Sequence, residues 1–211
     1  MRFSSPRTRT APATCAALLL VLLPLVGCSG PKRSVYRFEA GGPTRAQVEE
    51  SARLRAEALE RIDDGRPEDA LPLLSEASSL TPGNGAVFNN LGWVHHRAGR
   101  LYPAAVAYRR AAELRPGDPV PLSNLGLVLG DAGRWDDAAA AHGRALALAP
   151  GDPRFESRHT YARVRRGDAA AELRDALERV ALSVREGGWG VWAERQLARL
   201  DGERTGDGEP R

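Results

Sequence analysis

In this 211-residue sequence the side chains with chemistry to offer are four histidines, His95, His96, His142 and His159, and two cysteines, Cys15 and Cys28. His95 and His96 are neighbours, and adjacent side chains on a helix diverge by about 100°. The pair therefore cannot easily serve one tetrahedral metal ion. No nucleophile, carboxylate pair or phosphate-cradling glycine loop keeps company with any histidine. The Gly-x-x-x-x-Gly spacings that do occur fall where helices must turn. The sequence thus predicts no catalytic residue, no metal, no cofactor and no enzyme activity.

What positions the histidines is a helical pattern. In residues 85–118, Phe88, Leu91 and His95 recur at three- and four-residue spacing and share one face, with Gly92 where a partner helix must come close. Gly99 stops that helix. Ala104, Tyr108 and Ala111 form the facing stripe of a second helix, which Pro116 ends because proline lacks the donor that would continue it. A shift of 34 residues brings the skeleton back as Leu122, Leu125, Gly126, Leu129, Gly133, Ala138, His142, Ala145 and Pro150. Weaker copies run upstream through Leu54, Ala58, Gly65, Ala70, Leu74, Ala77 and Pro82, and downstream through Thr160, Gly167 and Ala176. Terminal copies drift because each has a neighbour on one side only. Period and order match W-x2-L-G-x2-Y, A-x3-F, P, so the chain resembles the tetratricopeptide repeat family.

The resemblance implies an all-α fold, a tetratricopeptide solenoid of about four helix-turn-helix repeats over residues 45–201, closed by a C-terminal capping helix. Helices are expected at 45–64, 67–80, 85–98, 101–114, 119–132, 135–148, 153–166 and 168–185, with the cap over 189–200. Thr44 and Gln47 fit a capping box for the first helix. Pro72, inside the second, should kink or shorten it. Residues 202–211, polar and glycine-rich, are expected to be a disordered tail. By the same resemblance His95, His142 and His159 take the slots of tyrosine, phenylalanine and leucine, which makes them packing residues.

Function then becomes a question of binding. Carrying the family's inner, concave surface onto this sequence gives Arg55, Leu59 and Ile62 from the first repeat, and Asn89, Trp93, His96 and Arg97 from the second. The third contributes Ser123, Leu127 and Asp131, and the fourth Ser157, Tyr161, Val164 and Arg165. A protein or peptide partner in that groove is implied. Trp93 is either its aromatic anchor or a packing residue against a neighbouring repeat or the chain's own tail. Asn90 and Asn124 resemble the asparagines of chaperone-type carboxylate clamps, but Trp93 and Leu127 stand where those clamps have polar residues, so a clamp is not expected.

The first 27 residues hold Arg2, Arg7 and Arg9 and no acid, then an apolar run shorter than the roughly 20 residues needed to cross a bilayer. Leu25, Val26, Gly27 and Cys28 resemble the lipobox of bacterial lipoproteins. That implies a signal peptide at 1–27, lipidation at Cys28, a flexible tether over 28–44 and attachment to the membrane through the lipid anchor. Ser29 after the cysteine favours, by the same resemblance, the outer membrane facing the periplasm. Without the leader, 27 basic residues face 27 acidic ones, so charge gives no argument for nucleic acid. The combined resemblances imply a lipid-anchored scaffold of the cell envelope. Alternatives are a pilotin-like factor for secretin or type IV pilus assembly, and an adaptor for peptidoglycan-modifying enzymes.

Overall fold

A computed structural model of the chain describes residues 42–183 and 188–206. The expectations placed on the leader, on Cys28 and on most of the tether lie outside the described residues. The described chain is helical: α1 (Arg45–Asp63), α2 (Ala70–Leu80), α3 (Gly85–Arg97), α4 (Leu101–Leu114), α5 (Pro119–Asp131), α6 (Trp135–Leu148), α7 (Pro153–Arg166), α8 (Ala170–Ser183) and α9 (Trp189–Gly206). No strand occurs among the described residues. No described helix is long and apolar enough to cross a membrane.

Local sequence sets the ends of these helices with the period of the repeat. Thr44 and Gln47 form the reciprocal box at the start of α1, with the Thr44 amide donating to Gln47 Oε1 at 2.8 Å. Asn84, Asp118 and Asp152, each 34 residues after the last, cap α3, α5 and α7 by accepting from the backbone N–H two residues on. An Asx side chain there satisfies one of the donors that a helix start leaves open. Between the helices of a pair, Gly65, Gly99, Gly133 and Gly167 all have positive φ, from 69° to 93°. A side chain would be strained in that left-handed turn.

Two ends differ from the pattern read in the sequence. A 3-10 turn over Pro67–Asp69 precedes α2, which starts at Ala70. Pro72 then sits in the first turn, where its missing N–H has no carbonyl to meet, so α2 is shortened rather than kinked. At the other end α9 runs to Gly206, past the point where a disordered tail was expected to begin. Leu197 and Leu200 pack on the last core cluster, and Arg174 of α8 donates to Asp201 at 2.6 Å, which holds the helix down beyond its apolar stretch.

The helices pack as successive antiparallel pairs, α1 with α2 through α7 with α8, each pair also meeting the next, and α9 lies on α8. Leu54, Leu74, Val87 and Val94 form a first core, and Ala104, Tyr108, Leu125, Val128 and Ala138 a central one. Within a pair the closest approach is a glycine under a ring. A Cβ on Gly92 would lie 2.7 Å from the Tyr108 ring, and one on Gly126 2.6 Å from the His142 ring. Anything larger than glycine at either position must push the ring or its helix aside.

Candidate protein-binding groove

Helices α1, α3, α5 and α7 are the first members of their pairs, and α3 meets α5 as α5 meets α7. Their shared face carries the residues expected to line the groove, and the structure joins several of them into a ladder. Asn124 Nδ2 donates to Asn89 Oδ1 at 3.2 Å, His96 Nε2 and Asp131 Oδ2 are 2.6 Å apart, and Arg158 Nη1 donates to Ser123 Oγ at 2.8 Å. Each rung joins a residue to the one 35 positions later, one repeat plus one residue. Neighbouring helices therefore hold each other in register through side chains as well as through the core.

Exposure sorts the remaining candidates. Arg97, Asp131 and Arg165 are exposed, while Arg55, Leu59, Asn89, His96 and Leu127 are half-buried. Ile62 and Val164 are half-buried too, and pack against the first and last core clusters. Ser123 and Ser157 are corrections: both are 0% exposed and cannot meet a partner. Ser123 supports Arg158 instead, and Ser157 donates to the Pro153 carbonyl at 2.6 Å. A serine on a close-packed helix can bond back to the preceding turn, and here it faces inward to do so.

Trp93 packs against both the first and the central cores while remaining half-buried, with the Arg97 guanidinium 5.8 Å from its ring centre. It is therefore a packing residue that remains partly exposed. Tyr161 is more enclosed. Trp135, Trp189 and Trp192 surround it at centroid distances of 6.0, 5.7 and 5.5 Å, and Arg165 donates to its hydroxyl at 2.9 Å while stacking 4.3 Å over Trp135. The capping helix thus fills the C-terminal end of the groove face with its own aromatics.

The histidines bear out their packing slots. His142 is 3% exposed, and burial, aided by the positive field of Arg158, pushes its pKa down to about 4. Burial likewise lowers His95 and His159. All three rings are therefore neutral near pH 7, and Nδ1 of His95 and of His142 is buried without a partner among the described residues. His96 shares a hydrogen bond with Asp131. Among the described residues no three His, Cys, Asp or Glu side chains come together to hold a metal.

Sequence reasoning passed over Arg158 and Trp135, which belong to the face, and a groove of about 550 Å³ between α3 and α4. That groove lies on a different face of α3, lined by Phe88, Leu91 and His95, with Tyr102 and Val106 exposed along α4. Tyr102 and Val106, four residues apart, were the available signal.

Residues 55–119 match the tetratricopeptide repeat family model. No curated protein matches the chain. A tetratricopeptide repeat protein from Parabacteroides merdae superposes with a TM-score of 0.65 at 16% identity, covering 74% of this chain and 61% of that one. A mutant O-GlcNAc transferase from Thermobaculum terrenum gives 0.59 at 24% identity and 66% coverage, although this chain spans only 27% of that enzyme. The Yersinia enterocolitica type III secretion chaperone SycD, solved with a peptide of the translocator YopD, gives 0.54 at 18% identity, over 58% of this chain and 99% of that one. At such identities the likeness extends to the fold, which is the helical solenoid of tetratricopeptide repeats.

Proposed function

We propose that the chain is a non-enzymatic tetratricopeptide scaffold, anchored by lipid at Cys28, that holds an envelope protein along the face of α1, α3, α5 and α7. The observation that carries the binding half is the ladder of side-chain bonds across that face. It fixes a rigid surface on which Trp93 and Leu127 stay half-open, an apolar centre with polar margins. The structurally similar SycD was solved with a peptide, which supports a peptide partner here too. The histidine environments favour the non-enzymatic half: three rings occupy packing slots and the fourth, His96, is bonded to Asp131.

The anchoring half rests on the lipobox-like sequence around Cys28, and on Cys28 being the one cysteine left once a leader holding Cys15 is removed, since an exposed thiol in an oxidising compartment is ordinarily paired or modified. Two or more acyl chains give stable attachment where one is marginal. Metabolic labelling with palmitate, compared between wild type and Cys28→Ala, tests it directly. Label on wild type and release of the variant are expected, and unlabelled wild type released freely from cells would end the idea. For the binding half, detergent extracts are passed over wild type and Trp93→Ala. Recovery of the same partner in the same amount by both would take Trp93 out of the mechanism.

A further inference from the structure

The stripe of α4 that borders the groove of about 550 Å³ is not explained by the repeat. Tyr102, Val106, Arg109 and Glu113 are exposed and follow one another at four, three and four residues, so they lie along one side of the helix. Tyr102 is 82% exposed, the highest value among the large apolar side chains of the described residues, and Val106 is 47% exposed. One repeat earlier the same positions hold Glu68, Pro72, Ser75 and Ser79, and one repeat later Asp136, Ala140, Gly143 and Ala147. Stacking of the hairpins therefore calls for neither an aromatic ring nor a branched apolar chain there. The groove beside the stripe departs from the pattern in the same way. Phe88 and His95 stand where the repeat has tryptophan and tyrosine, and the smaller side chains leave space against α4.

We propose that this stripe is a self-association surface, on which α4 of a second copy of the chain packs antiparallel about a two-fold axis. The four-three-four spacing reads the same from either end. A two-fold between Val106 and Arg109 therefore sets Tyr102 of each copy against Glu113 of the other, and Val106 against the aliphatic stem of Arg109. Charge decides the direction. In a parallel pair Arg109 would face Arg109 and Glu113 would face Glu113, whereas the antiparallel pair opposes no like charges and lets the Tyr102 hydroxyl donate to a carboxylate. The groove supplies the seat for the ring. Its end nearest Glu113 is walled by Phe88, with the Arg110 guanidinium 6.0 Å over the Phe88 ring and bonded to Glu113 at 3.2 Å. A tyrosine entering there meets an apolar wall and a cation while its hydroxyl reaches the carboxylate. A helix of another protein would have to match this pattern, but the chain itself carries both halves. Since α4 is the second helix of its pair, the contact leaves the face of α1, α3, α5 and α7 open, and the inference does not rest on the reading of that face.

The test is sedimentation equilibrium of the full-length protein in detergent micelles matched in density to the solvent. One helix face per copy is a small interface, so monomer and dimer should exchange with a dissociation constant of roughly 10–100 µM. Val106→Arg adds two cations at the seam and should weaken the dimer about tenfold or more. Tyr102→Phe and Glu113→Gln should each weaken it about threefold to tenfold, and the double variant no more than either alone. Within one chain Tyr102 and Glu113 are eleven helical residues apart, about 16 Å, so that non-additivity can arise only across two copies. All three positions are exposed, and circular dichroism verifies that the variants are folded. A monomer at every concentration up to the solubility limit would overturn the proposal, as would a dimer indifferent to Val106→Arg. Additive effects of Tyr102→Phe and Glu113→Gln would overturn the antiparallel seam. A wild type that stays monomeric but recovers a different protein from detergent extracts, and loses it on Val106→Arg, would overturn self-association and give the stripe to that protein.

Discussion

Replacing His142 by phenylalanine should remove much of the acid sensitivity of this fold, and the size of the effect follows from the burial of the ring. In the unfolded chain His142 titrates near its ordinary value of 6.5, and in the fold only near about 4. Below pH 6.5 the unfolded state takes up a proton that the folded state refuses, so stability is complete above that value and drains away as pH falls toward 4. The integrated loss is about 3 kcal/mol, of which about 1.3 kcal/mol falls between about pH 7.5 and 5.5. In a domain of this size that is roughly a 3–5 °C drop in Tm. Phenylalanine has no proton to take up, and the slot accepts a six-membered ring: Tyr108 occupies the same place one repeat earlier, over Gly92 as His142 lies over Gly126. Urea titrations followed by far-UV circular dichroism, at several pH values for wild type and His142→Phe, give the comparison. The two should differ least near neutrality, with the variant gaining steadily as the solution is acidified. His95 and His159 also resist protonation, but they are common to both proteins. Parallel curves would mean that the ring takes up its proton in place, and the account of its burial would fail.

Three further outcomes are expected. Gly126→Ala would place a methyl group 2.6 Å from the His142 ring, so the urea midpoint should fall by an amount equivalent to about 1–3 kcal/mol. Asp118→Ala removes the acceptor for the Val120 amide at the start of α5 and should cost about 1 kcal/mol, seen as a lower midpoint with an unchanged slope. Tyr161→Ala takes out the ring between Trp135, Trp189 and Trp192, so hydrogen exchange in α9 should accelerate while exchange in α3 and α4 stays as it was. Faster exchange throughout would show that the cap is not a separate unit.

The architecture was legible because the repeat states each instruction several times. Gly92 and Tyr108 return as Gly126 and His142, so helix pairing could be read without any long-range information. The caps at Asn84, Asp118 and Asp152 carry the same period and were there to be read. Local rules failed where two segments had to cooperate. The continuation of α9 to Gly206 depends on Arg174 reaching Asp201, a contact that the polar, glycine-rich composition of residues 202–211 does not announce. On the groove face, slot-by-slot transfer placed Ser123 and Ser157 as contacts because their register is right. Their burial depends on the next helix, which closes over small side chains. Arg158 was passed over because it stands one position beyond the expected slot. The complementary pairs at a separation of 35, Asn with Asn, His with Asp, Ser with Arg, were the signal that would have found it.

Among the described residues every helix packs chiefly on its immediate neighbours in the chain, and the next strongest contacts between helices, α3 with α5 and α5 with α7, reach one helix further. Strain introduced near α1 therefore has no direct route to α8 and must be handed on step by step. Under a pull along its length such a molecule should peel from an end, one hairpin at a time, so a partner gripping the middle would be held while the margins loosen.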